Sequence, residues 1–143
     1  MTTSYPTVTL TDHERDICGA RADVLIPNAA GMPAATQMDV HTVWIEHALG
    51  ARPDLADRFR ASLAEAVDEP PAKAIETLHK NSPELFDAFS LLVAGAYLMN
   101  PEVRALIGYP GQENRPVAND EVETYIHLLE PVVERGPVYR PTV

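Results

Sequence analysis

Apolar positions recur along this chain at helical spacing, in segments separated by proline and glycine. Ile17, Cys18, Val24 and Leu25 form pairs seven apart, and Leu10 extends the stripe one step backwards, which predicts a first helix with one core-facing side. Thr11-Asp12-His13-Glu14 supplies a capping box at its start, where the threonine hydroxyl and the Glu14 carboxylate satisfy orphan amides. Pro27 sets its end. Residues 27–35, Pro-Asn-Ala-Ala-Gly-Met-Pro-Ala-Ala, hold two prolines and a glycine and show no alternation, so they predict a shaped loop.

A second helix is expected from about Gln37, with Val40, Val43, Trp44, Ala48 and Leu49 on one face and Gly50 as the left-handed residue that closes it. Leu55, Phe59, Leu63, Ala66 and Val67 form the apolar side of a third, opposite Asp57, Arg58, Arg60 and Glu65, until Pro70-Pro71 stops it. A short fourth spans roughly residues 72–79. Ser82-Pro83-Glu84 announces the fifth: serine caps, proline is preset for the first helical position and glutamate complements the dipole. Its Leu85, Phe86, Phe89, Leu92, Val93, Ala96 and Tyr97 hold the three-and-four spacing, and Ala94 with Gly95 leaves room for a second helix to approach. A brief sixth helix over 103–107 ends at Gly108. The seventh starts at Asn119 or Asp120, runs through Val122, Tyr125, Ile126 and Leu129, and meets Pro131.

The pattern therefore predicts an all-α protein, one compact domain over 1–143 with five to seven helices and long ordered loops. Three segments lie outside the periodic pattern: an N-terminal arm (1–9), a Gly/Pro loop (108–118) and an extended C-terminal tail (135–143). The last two carry Tyr109, Val117, Val138 and Tyr139, apolar side chains that a solvated linker does not normally hold. Gly108-Tyr109-Pro110-Gly111-Gln112 describes a tight, stiff backbone, either a structural turn or a surface presenting Tyr109 and Gln112. In 135–141, two prolines stiffen the chain around Val138 and Tyr139, which favours docking onto a surface, either this chain's own or another chain's.

Charge narrows the partners. A formal net charge of −10 is unsuited to a nucleic-acid backbone or an anionic membrane face, because no basic stripe is available. The longest apolar run, 91–99, is about half of what a membrane span needs. One cysteine, Cys18, makes an internal disulfide impossible. The first residues show no basic n-region, paired arginines or apolar h-region, so the expected location is cytoplasmic.

Candidate chemistry is sparse. The sequence holds no G-x-S-x-G elbow, phosphate-binding loop, H-E-x-x-H or C-x-x-C pair. Its five histidines are scattered at 13, 41, 47, 79 and 127, and His41 and His47, six apart, fall on different helix faces. Asp120, Glu121 and Glu123 read as first-turn charges favoured by the helix dipole. No catalytic, cofactor-binding or metal-ligating residue is therefore assigned. Trp44 reads first as core and second as an interface anchor. The residues expected to meet a partner are Trp44, Tyr97, Tyr109, Pro110, Gln112, Arg115, Val138, Tyr139 and Arg140.

Four segments, in order, resemble the gluconate 2-dehydrogenase subunit 3 family: Ala-Asp-x-Leu-Ile-Pro (22–27), Gly-Met-Pro-Ala-Ala (31–35), Ala-Tyr-Leu-Met-Asn-Pro-Glu-Val (96–103) and Ile-Gly-Tyr-Pro-Gly-Gln (107–112). The resemblance implies a non-catalytic small subunit that stabilises or completes a large flavoprotein oxidoreductase of the glucose-methanol-choline type, in a heterodimer or higher hetero-oligomer. It places FAD in that partner and none in this chain, and implies an alcohol, sugar, polyol or sterol as the complex's substrate. Two alternatives stand beside it: a transient assembly or folding factor for the flavoprotein, and a small stand-alone enzyme. Exported relatives commonly carry a twin-arginine signal, which this sequence lacks at its start.

Overall fold

The computed structural model describes residues 8–114 and 119–138. All regular structure among them is helical: α1 (Asp12–Leu25), α2 (Ile45–Ala51), α3 (Ala56–Ala64), α4 (Pro71–Asn81), α5 (Pro83–Met99), α6 (Pro101–Leu106) and α7 (Asn119–Arg135). The all-α expectation holds. Contacts divide the chain into two units, Met1–Pro110 and Gly111–Val143, so the break falls inside the Gly/Pro loop.

In the first unit α5 is the central helix, packed against α3, α2 and α4, while α1 lies against α4 and the turns that precede α2. Phe89 of α5 stacks on Phe59 of α3 with ring centroids 5.7 Å apart and planes within 9° of parallel. Leu92, Val93 and Ala96 continue the buried stripe down α5, in the register that the sequence predicts. Burying this set of aliphatic and aromatic side chains, each contributing about 1.5–3 kcal/mol, is what holds the first unit together.

Helix ends follow local chemistry. Thr11 caps α1 with the full reciprocal box: its hydroxyl accepts from Glu14 N and Glu14 accepts from Thr11 N. Asn100 caps α6, its side-chain oxygen accepting from Glu102 N at 2.8 Å, with Pro101 at the first helical position. Ser82 does precede α5, but its hydroxyl donates to Glu65 Oε1 at 2.7 Å instead of capping. The serine thus ties α5's start to the end of α3.

The second predicted helix is the least regular. A 3-10 turn (Thr36–Met38) and a π-helical turn (Val40–Trp44) precede α2. The wider π turn shifts the register, so Ile45 enters the core while Val43 is exposed and Trp44 is half-buried against it. Gly50 lies inside α2 and is buried, and the helix ends one residue later without a left-handed residue. In α1 the buried face is Cys18, Arg21 and Ala22, and Val24 is turned outward.

In the second unit α7 runs straight past Pro131, which the sequence predicts as its end. Proline removes the donor that would meet the carbonyl of residue 127, and His127 is exposed, a setting in which the loss of that bond is tolerated. Gly136, with φ of 65°, ends the helix by donating to the Val133 carbonyl at 3.0 Å.

Candidate partner interface

The segment 26–39 is tied down from several directions. Asp23 of α1 accepts from Thr36 N (2.8 Å) and Thr36 Oγ1 (2.6 Å). Gln37 Oε1 accepts from Ala34 N at 2.8 Å and from Asn28 Nδ2 at 2.9 Å. From α5, the Tyr97 hydroxyl donates to the Pro33 carbonyl at 2.7 Å. Asn100, itself buried, donates to the Met38 carbonyl at 3.0 Å. Three of the four segments that carry the family resemblance, 22–27, 31–35 and 96–103, therefore meet around this loop.

At the loop's outer end Ala29 and Met32 exchange main-chain hydrogen bonds of 3.1 and 2.9 Å. Between them Ala30 and Gly31 both have positive φ, 52° and 81°. Glycine adopts that conformation freely, whereas alanine is strained in it. Asn28, Ala29, Ala30 and Gly31 are all exposed.

A second set of exposed apolar side chains lies along α5, α6 and the turn that follows. Leu91, Leu98, Leu106, Ile107 and Tyr109 are each 50–56% exposed, and the exposed Ala94 and Gly95 separate the first two. Apart from its chain neighbours and the helix's own backbone, no atom of the described residues comes within 4 Å of where a Gly95 Cβ would stand. The same helix buries Phe89, Leu92, Val93 and Ala96, so α5 is apolar nearly all round. The second unit repeats the theme: Ile126, Leu128, Leu129, Val132 and Val133 of α7 are all more than half exposed, as is Val138 beyond it.

Of the predicted interface residues, Tyr109, Pro110 and Gln112 are exposed on the Gly/Pro loop and Val138 on the tail. Trp44 is half-buried and faces His47, with ring centroids 5.4 Å apart. Tyr97 is a correction. It is 6% exposed, burial raises its hydroxyl's pKa, and its bond to Pro33 makes it an internal strut for the loop. Arg115, Tyr139 and Arg140 lie outside the described residues.

Sequence reasoning missed Arg21. It is 2% exposed, and its guanidinium donates to the carbonyl of Ser62, to that of Glu65 at 2.8 Å and to that of Ala66 at 3.1 Å. These carbonyls lie in the last turn of α3 and just beyond it, where a cation also suits the helix dipole, and that of Ala66 accepts from Glu69 N as well. Burial lowers the arginine's pKa, opposed by Glu65 and Glu69 nearby. Spacing held the clue, since position 21 falls three after Cys18 on the buried stripe of α1.

Two open grooves of about 300 and 290 Å³ share His13, Ile17 and Val67 beside α1. Arg21 lines one, with its hydrogen bonds spent on the main chain; Arg60, which donates to Thr9 O at 3.0 Å, lines the other. Among the described residues, no three His, Cys, Asp or Glu side chains gather as metal ligands would. His79 meets Phe86 edge-on at 4.9 Å, and His41 packs on Gly19. Cys18 is fully buried, and burial pushes its thiol up to about 12, away from the thiolate that reactivity requires. Among the described residues no helix is long and apolar enough to cross a membrane. What these surfaces offer chemically is apolar contact and main-chain hydrogen bonding. No protein-family model, curated protein or solved structure matches this chain.

Proposed function

We propose that this chain is an accessory subunit that packs against a larger FAD-dependent oxidoreductase of the glucose-methanol-choline type, as its resemblance to the gluconate 2-dehydrogenase subunit 3 family implies. The observation that carries the reading is the exposed apolar set along α5 and α6. Five large apolar side chains stand at least half exposed along α5, α6 and the turn after them, Leu91 and Leu98 on either side of the exposed Ala94 and Gly95 in sequence, and exposed apolar side chains in such number mark protein contact sites. In the complex these side chains lose their water, and the two small residues let a partner helix approach closely. The flavin chemistry belongs to the large subunit, and this chain stabilises or completes it.

The test is co-expression with a large flavoprotein subunit of the glucose-methanol-choline type, read by native mass and visible absorption. The expected result is a heteromer with a flavin spectrum, and no such spectrum from this chain alone. Leu98→Asp should abolish the heteromer while leaving this chain folded. A chain that joins only the flavin-free large subunit and is absent from the mature enzyme would point to an assembly factor instead. Failure of the two chains to associate in any state overturns the proposal.

A further inference from the structure

Of the two grooves beside α1, the one of about 290 Å³ has an apolar lining of Ile17, Leu63, Ala64 and Val67, with Glu14 and Arg60 among its polar residues. Val67 is 44% exposed there, and Ile17 is half-buried. Apolar area is thus left in water between α1 and α3, where covering it is favourable. A dry apolar cavity of ~150 Å³ holds a benzene ring, so this groove has room for one aromatic side chain.

The groove's polar residues point to what covers it. Arg60 donates to the Thr9 carbonyl at 3.0 Å and pairs with Glu14 at 3.5 Å. The chain that leads into α1 is therefore held at the groove's edge, and Leu10 N is fixed one residue later by Glu46 Oε1 at 3.2 Å. The described residues begin at Val8, which packs against the core, so residues 1–7, outside the described residues, depart from beside Arg60. Seven residues reach at most ~25 Å. Arg60 to Val67 spans at most ~17 Å, four helical steps and three extended ones, so the segment is long enough to cross the groove.

Its composition fits as well. Residues 1–7 are Met-Thr-Thr-Ser-Tyr-Pro-Thr, with no charged side chain and one aromatic, Tyr5. Pro6 restricts Tyr5 to extended backbone and reduces the entropy lost on ordering. An uncharged segment enters without desolvating an ion, and Glu14 and Arg60 are already paired with each other and with main chain. Tyr5 stands four residues before the anchored Thr9, and such a short tether gives an effective concentration on the order of millimolar. A separate molecule has to outcompete that.

We infer that residues 1–7 form a strap that closes the groove between α1 and α3, with the Tyr5 ring seated on Ile17, Leu63, Ala64 and Val67. The inference is independent of the accessory-subunit reading. It assigns the groove to the chain itself, so a ligand or partner reaches it only by displacing the strap.

The test is nuclear Overhauser spectroscopy on the full chain with labelled methyl groups, together with thermal unfolding. The Tyr5 ring should contact the methyls of Ile17 and Val67, equally at all protein concentrations. Tyr5→Ala should lower the thermal midpoint by about 3–6 °C, and Tyr5→Phe should leave it within about 1 °C. Tyr5→Ala combined with Val67→Ala should cost less than the sum of the two single changes, because both remove the same contact. Ring contacts with other methyls only, or with none, overturn the strap, as does a midpoint that Tyr5→Ala does not move. Contacts seen only between differently labelled copies would give the groove to a second molecule of this chain. Shifts of the Ile17 and Val67 methyls that appear only when another protein is added, with no Tyr5 contact beforehand, would give it to a partner. Either result also overturns the strap.

Discussion

The imidazole of His41 lies so close to Gly19 that a Cβ on the glycine would stand 3.0 Å from both Cγ and Cδ2 of the ring, and 3.2 Å from Cγ2 of Thr36. Neither neighbour is free to yield: Thr36 is held twice by Asp23, and His41 sits in the π-helical turn before α2. Gly19→Ala gains helix propensity of about 1 kcal/mol but pushes this turn off α1. The net expectation is a loss of about 1–2 kcal/mol, read as a lower urea midpoint at unchanged slope.

Gly95→Ala is the paired control, because the same substitution in α5 meets open space among the described residues. The isolated chain should gain about 0.5–1 kcal/mol. Binding to the flavoprotein should weaken at the same time, since the added methyl takes the space that Gly95 leaves. A variant that is more stable and binds equally well would show that nothing approaches α5 at this point.

Arg21→Met tests the end of α3. Removing the guanidinium takes this donor from the carbonyls of Ser62 and Glu65 and leaves that of Ala66 with Glu69 N alone, and the expected destabilisation is about 3 kcal/mol. Arg21→Lys should recover part of it, because an ammonium reaches fewer carbonyls than the planar fork does. Equal thermal midpoints for native and Met variants would mean that water serves these oxygens as well as arginine does.

The contrast between Tyr97 and Arg21 shows what was legible in the sequence. Tyr97 lies on the apolar stripe of α5, and that stripe is found as the spacing of Phe89, Leu92, Val93 and Ala96 predicts. Its destination was not legible, because the carbonyl of Pro33 that receives its hydroxyl is 64 positions away. Arg21 shares a face with Cys18 and Ala22, but an arginine among apolar residues is normally assigned to solvent, and only the position of α3's last turn makes its burial favourable. Pro131 misled for a related reason: its missing donor matters only where water is excluded. Helix starts with reciprocal chemistry, such as Thr11 with Glu14, were readable because both partners lie within one turn. The strain at Ala30 left no sequence signal, since the glycine that eases such a turn stands at the next position.

Cys18 should make the first unit sensitive to alkali. Its thiol is raised from an ordinary 9.0 to about 12 by burial, so the folded chain holds the proton more tightly than the unfolded one. By linkage, the associated stability is fully present below pH 9 and is lost as pH rises through the interval to about 12. Urea midpoints should fall over that interval, and less so for Cys18→Ala. At pH 8 the native thiol should resist alkylation and become reactive only on unfolding.

Tyr97→Phe isolates one strut of the loop, because it removes the hydroxyl that reaches Pro33 and leaves the ring in the core. The global loss should be only about 1 kcal/mol, since Asp23, Gln37 and Asn100 still hold the segment. Local consequences should exceed global ones. Amide exchange at 29, 32 and 35, whose N–H groups bond within the loop, should accelerate, while the buried amides of α5 around Phe89 and Val93 should slow or quicken only with global stability. If exchange quickens equally everywhere, Tyr97 supports the core and does nothing particular for the loop. If it quickens only in the loop, the hydroxyl is a local strut, and the core keeps its stability because Phe89, Leu92 and Val93 stay packed without it.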